Sequence, residues 1–146
     1  MKFQTTNKKL ANFCNLLLTV EAKGKKSRAV AKFLKLTLAK TEELQMFQRE
    51  LIKQYFEQDE NGNAKVDKSG NPLWLDGVDK EAYVKERNEL DNELVIIDLT
   101  EYTPFVEYLI SALDEWENLL SGQDAIAYDE LLDKLEALQE EVKVAD

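Results

Sequence analysis

Between Gly24 and the Asn61-Gly62 turn, the chain runs from Lys25 to Phe56 without a Gly or a Pro. Val30, Leu34, Thr37, Thr41, Leu44, Gln48, Leu51 and Tyr55 recur three and four apart in this stretch, with Phe33 and Phe47 beside them. That period places side chains on one face of a helix. At 1.5 Å per residue such a helix reaches roughly 45 Å, so it needs packing partners along its length.

The flanking segments supply candidates. Leu10, Phe13, Cys14, Leu17 and Leu18 fall at helical spacing from Asn7 to about Val20, with Thr5 or Thr6 as the cap. Gly24 closes that helix and the basic turn 22–27 opens the long one. Beyond Phe56, the turn signals Asn61-Gly62-Asn63 and Ser69-Gly70-Asn71 flank two short apolar runs, Ala64-Lys65-Val66 and Leu73-Trp74-Leu75. They predict a small β-hairpin at about 63–76, closing at Ser69-Gly70-Asn71. A lone two-stranded hairpin is only marginally stable, so Trp74 is expected to pack on a helix or on another subunit.

Asp79 caps a third helix running to about Glu93, with Tyr83, Leu90 and Leu94 on one face. The β-branched run 94–99 then favours an extended segment, although continued helix fits the same apolar run. Thr103-Pro104 starts helix four, with Val106, Leu109, Ile110, Leu113, Trp116 and Leu120 as its stripe. Ser121 to Asp124 has capping-box spacing and opens helix five, whose stripe is Tyr128, Leu131, Leu132, Leu135, Leu138 and Val142. The short loop makes helices four and five antiparallel neighbours. No internal repeat stands out. The expected fold is mainly α in a single domain, 1–146: a helical bundle around one long helix, with the β-hairpin at one end.

Composition narrows the chemistry. There are 146 residues, 44% of them apolar and 33% charged, with five Gly and two Pro, which suits a helix-rich protein with a real core. No apolar run approaches the ~18 residues of a membrane span, and the start lacks a signal-peptide core. The expectation is a cytoplasmic protein without membrane contact. Histidine is absent. Its absence removes Ser-His-Asp and Cys-His nucleophiles, His-ligated zinc and haem, and the commonest neutral-pH base. The single cysteine, Cys14, lies among apolar residues and reads as a small core hydrophobe.

Charge is unevenly spread. The net charge is −10, yet residues 1–40 hold ten Lys or Arg and one acid, a net of +9. Subtracting from the totals of 19 bases and 29 acids leaves nine and 28 in residues 41–146, a net of −19. Lys25, Lys26, Arg28, Lys32 and Lys35 crowd the first three turns of the long helix, where they oppose its macrodipole and call for compensation. This basic face is the first candidate interaction surface and Trp74 on the hairpin is the second. Two occupants compete for the basic face. One is an acidic protein surface, the chain's own or a second subunit's, as in a homo-oligomer; the other is nucleic acid held by Arg28, Lys32 and Lys35. The acidic C-terminal face has its own alternatives, plain solvation or mimicry of phosphates.

Catalytic patterns are thin. Asp98 and Glu101 at the end of an apolar run are the kind of acids that hold Mg²⁺, but no spacing picks out the further ligands. Asp59, Asn61 and Asn63 have the first spacings of an EF-hand loop, but Ala64 stands where its Gly belongs and Gly70 where its Glu belongs. The i,i+4 pair Glu89 and Glu93 suits a di-iron bundle, whose Glu-x-x-His half cannot be built here. No metal site, cofactor or catalytic residue is assigned, and the chain is expected not to be an enzyme.

Three stretches carry a resemblance: Lys23-Gly24-Lys25-Lys26-Ser27-Arg28, then Asp59-Glu60-Asn61-Gly62-Asn63, then Asn88-Glu89-Leu90-Asp91-Asn92-Glu93 leading into 95–102. With the closing stretch 120–132, they resemble a small family of uncharacterised helical proteins from phages and prophages of Gram-positive bacteria. The resemblance implies a late-region gene near tail and lysis genes, and carries no catalytic residues over. The expected function is therefore non-catalytic protein–protein interaction with a phage or host protein, in tail assembly or as a virion-associated component. The alternative is a host-directed accessory protein that binds or mimics nucleic acid.

Overall fold

A computed structural model describes residues 1–145 and is mainly helical, with five helices and one two-stranded antiparallel sheet. The chain divides into two compact units, one formed by residues 1–41 and the chain from Leu94 onward, the other by Glu42–Glu93. The long helix α2, Gly24–Tyr55, contributes residues to both.

The first unit begins with strand β1, Lys2–Thr6, which the sequence reading did not anticipate. Phe3 and Thr5 alternate inward while Lys2 and Gln4 face out, a period of two too short to register as a pattern. Helix α1, Asn7–Leu17, follows at once, capped by the Thr6 hydroxyl, which accepts from the Lys9 N–H. The run 94–98 is a strand, β2, and not a helical extension; it pairs antiparallel with β1 in the register Phe3–Ile97 and Thr5–Val95. Val95 and Ile97 point inward beside Phe3, while Leu94 and Ile96 remain exposed.

Pro104 sits at the start of helix α4, Thr103–Glu115. This helix ends five residues before Leu120, the last member of the expected stripe, because Trp116 adopts extended backbone. Trp116 and Leu120 still pack against the core as part of the connection to helix α5, Gly122–Ala145. The two helices are neighbours as expected: the Tyr128 hydroxyl donates to the Leu113 carbonyl, and Trp116 lies against Tyr128.

Phe33 of α2 is the centre of this unit, fully buried, with its ring 5.4 Å from Phe3 and 5.6 Å from Tyr102. Phe13 joins the pile through Phe3 at 6.1 Å. Tyr102 carries the one polar handle: its hydroxyl donates 2.5 Å to the Ala29 carbonyl, and burial pushes its pKa up. A phenol held this way can be buried without an orphaned donor. Cys14 is buried in the same core.

The second unit is built differently. Helix α3, Lys80–Asp91, starts at the expected Asp79, whose carboxylate accepts from the N–H groups of Glu81 and Ala82. Between α2 and α3 the expected two-stranded hairpin is instead a closed three-arm β turn. The turn at Asp67–Asn71 is present, but a second turn of the same construction stands at Asp59–Asn63. In each, the aspartate Oδ1 accepts two backbone N–H groups, from Asn61 and Asn63 in one and from Ser69 and Asn71 in the other. Gly62 and Gly70 occupy matching positions at φ 80° and 84°, a region that favours glycine.

The sequence thus does contain a repeat, with a period of eight. Glu57, Lys65 and Leu73 form a ring in which each N–H bonds another's carbonyl: Lys65 to Glu57, Leu73 to Lys65 and Glu57 to Leu73. Three antiparallel bridges accompany the ring, Gln58–Ala64, Val66–Pro72 and Phe56–Trp74. Leu75 closes the structure by donating to the Tyr55 carbonyl at the end of α2. The repeat is hidden in the sequence because Asp59-Glu60-Asn61-Gly62-Asn63 and Asp67-Lys68-Ser69-Gly70-Asn71 each look like an ordinary turn.

Trp74 seals the closure, its ring 4.3 Å from Phe56 in a tilted arrangement and edge-on to Tyr83 of α3, with Lys80 over it at 5.4 Å. Replacing Trp74 with Ala should therefore abolish amide hydrogen-exchange protection at Glu57, Lys65 and Leu73 while sparing the Leu99 amide, which bonds Met1 in the first unit. Unchanged exchange at all three ring amides would show that the indole does not hold the closure.

Candidate interaction surfaces

The basic residues at the start of α2 are partly answered by α4. Lys26 reaches both carboxylate oxygens of Glu115, at 2.5 and 2.6 Å. Lys25 lies over the Tyr108 ring at 5.8 Å and Lys32 over the Phe105 ring at 5.0 Å. Cations over aromatic faces at such distances gain about 0.5–1 kcal/mol when exposed, and an exposed ion pair a similar amount or less. Together these contacts offset the conflict between lysines and the helix macrodipole.

Arg28 and Lys35 are the members of the predicted face left exposed without a charged or aromatic partner among the described residues. Lys32 and Lys35 border an open groove of about 680 Å³ whose other wall carries Asp98, Thr100, Glu101 and Phe105. The basic face and the two acids singled out for Mg²⁺ are thus brought to one place, with both signs of charge present.

Asp98 is engaged there. Its Oδ1 accepts from the Thr100 hydroxyl at 2.6 Å and from the Thr100 N–H at 3.0 Å, closing the turn after β2. The hydroxyl first and the N–H second hold the Asp98 carboxyl below the usual carboxylate range. Among the described residues, no three carboxylate or thiol side chains converge as a metal-ligand group. The Asp59 carboxylate, which the EF-hand spacing suggested as a ligand, is spent on its own turn.

Trp74 does not project freely; it is half-buried against the aromatic cluster with Phe56 and Tyr83. Tyr55 completes the cluster, 5.4 Å from Tyr83, and its hydroxyl donates to Glu86 at 3.1 Å. Elsewhere the second unit is thinly packed. Leu44 and Phe56 are its buried apolar side chains, at 5% and 4% exposure, and no residue of α3 is buried. Met46 and Phe47 of α2 stand 64% and 59% exposed. Phe47, placed beside the core stripe by its spacing, is in water, while Gln48, Leu51 and Tyr55 on the stripe itself are half-buried.

This uncovered face was not singled out from the sequence. The available signal was the sparse apolar content of 80–93, in which Tyr83 and Leu90 are the large apolar residues facing α2. Comparison with protein-family models, with characterised proteins and with solved structures finds no match. No helix among the described residues is long and apolar enough to cross a membrane.

The Asp98 turn has a measurable signature. Folding lowers this pKa, so its contribution to stability is present above the unfolded value of about 3.9 and is lost as pH falls through the folded one. Carboxyl-detected NMR should place the Asp98 midpoint below that value. Thr100→Val, which keeps the N–H but removes the hydroxyl, should move it upward; a midpoint that stays put would rule out the hydroxyl as the main cause.

Proposed function

We propose that this protein acts by protein–protein interaction without catalysis, as a component of phage tail assembly or of the virion, with residues 42–93 as its docking element. The observation that carries the reading is the incomplete core of that unit. A helix gains most of its stability in a protein from burial of an apolar face. Here α3 has no buried residue, while Met46 and Phe47 lie in water on the neighbouring stretch of α2. Large apolar side chains exposed together mark a surface that another protein covers. The first unit, by contrast, buries Phe3, Phe13, Phe33 and leucines of α1, α4 and α5 without outside help.

The phage setting is supported by the sequence resemblance. The reading as an assembly component also suits the basic face, where α4 answers Lys25, Lys26 and Lys32 and leaves Arg28 and Lys35 as secondary contacts.

The double variant Met46→Asp/Phe47→Asp tests the docking element directly. Both positions are exposed, so the change should alter folding stability by no more than about 1 kcal/mol. It should nevertheless abolish co-purification of the proteins that the tagged wild-type chain retains from the bacterium that produces it. Undiminished co-purification with the variant would overturn this assignment.

A further inference from the structure

The uncovered face of the second unit is a groove with a defined pattern. Phe47, Glu50, Leu51 and Gln54 line it from α2, at spacings of three, one and three. Glu86, Glu89, Leu90 and Glu93 line it from the α3 side at the same spacings, the last just past the helix end. The groove holds about 660 Å³. Phe47, Leu51 and Leu90 supply the apolar surface, and Glu50, Glu86, Glu89 and Glu93 stand beside it. No Lys or Arg contributes to the lining. Glu86 accepts from the Tyr55 hydroxyl, while Glu50, Glu89 and Glu93 have no partner among the described residues.

Two helical rows with apolar residues between acidic ones have the form of a helix bundle that lacks one member. Apolar side chains at a and d positions would enter between Phe47, Leu51 and Leu90, and the positions on either side would meet the glutamates. We propose that this groove receives an amphipathic helix of a protein partner whose apolar stripe is flanked by Lys and Arg. The inference rests on the reading of residues 42–93 as a docking element and adds the shape and charge of what docks there.

Charge selects this occupant over the others. Four carboxylates repel the phosphates of nucleic acid and of anionic lipid. A second copy offering the same face would set glutamates against glutamates. A basic helix instead relieves the crowding of like charge and covers Phe47, and charge complementarity at the rim steers it into register.

The test uses the full-length chain and synthetic helical peptides of about three heptads, at about 150 mM salt to screen diffuse attraction. One peptide carries Leu at a and d with Lys at e and g; a second has Glu in place of Lys; a third scrambles the first. Isothermal titration should detect binding of the first peptide only. Phe47→Ala should weaken it by about tenfold or more, as loss of a central aromatic contact does. Glu50→Gln/Glu89→Gln/Glu93→Gln should weaken it comparably, whereas Glu136→Gln/Glu140→Gln/Glu141→Gln on α5, with the same change in net charge, should shift it less than about twofold.

Equal binding of the scrambled peptide, an equal effect of the α5 triple, or no binding of the first peptide would overturn the proposal. Self-association of the wild-type chain, seen by sedimentation and lost with Phe47→Ala, would give the groove to a second copy and overturn it as well. Co-purification lost with Met46→Asp/Phe47→Asp but kept with the groove triple would leave the docking element standing and remove only the basic helix.

Discussion

Phe33 sets the constraint on which the first unit depends. A ring fully buried in the first half of α2 must be surrounded on all sides, and the chain meets that demand with pieces distant in sequence: Phe3 from β1 and Tyr102 from the turn before α4. Tyr102 in turn can be buried only because its hydroxyl reaches the Ala29 carbonyl, one helical turn before Phe33. The β1–β2 pairing follows from the same demand, since it presents Phe3, Val95 and Ile97 on one side of a two-stranded sheet too small to stand alone.

The basic crowding at the start of α2 has a local answer in α4, which supplies Glu115, Tyr108 and Phe105 to Lys26, Lys25 and Lys32. The sharp division of charge along the sequence therefore does not translate into one free cationic patch. Of the two cations left without such a partner, Arg28 and Lys35, Lys35 borders a groove that already contains Asp98 and Glu101. Such a mixed surface holds fewer uncompensated positive charges, the quantity with which binding to a phosphate backbone grows.

Long helices and their caps were legible because each depends on neighbours in sequence: the Gly- and Pro-free run that became α2, Thr6 before α1, Asp79 before α3 and Pro104 in α4. The end of α4 was not, since Leu120 keeps helical spacing after the backbone has left the helix. Nor was β1, whose five residues acquire meaning only from β2, some ninety positions later. The candidate site was the least legible part. Periodicity tells which side chains share a face of α2, but not what covers that face, so Phe33 and Phe47 looked alike in the sequence and ended at opposite extremes of burial.

The ring of Glu57, Lys65 and Leu73 has a consequence for how this segment can vary in length. In an open solenoid each repeat bonds only to the next, and repeats can be gained or lost one at a time. Here the third arm bonds back to the first, and Leu75 returns to Tyr55, where the segment began. A fourth copy of the eight-residue unit would find no free partner, and removal of one would leave two arms that cannot close. The number of repeats is therefore quantised at three, and because entry and exit meet, the whole cassette can be exchanged as a piece while the helices on either side keep their ends in place.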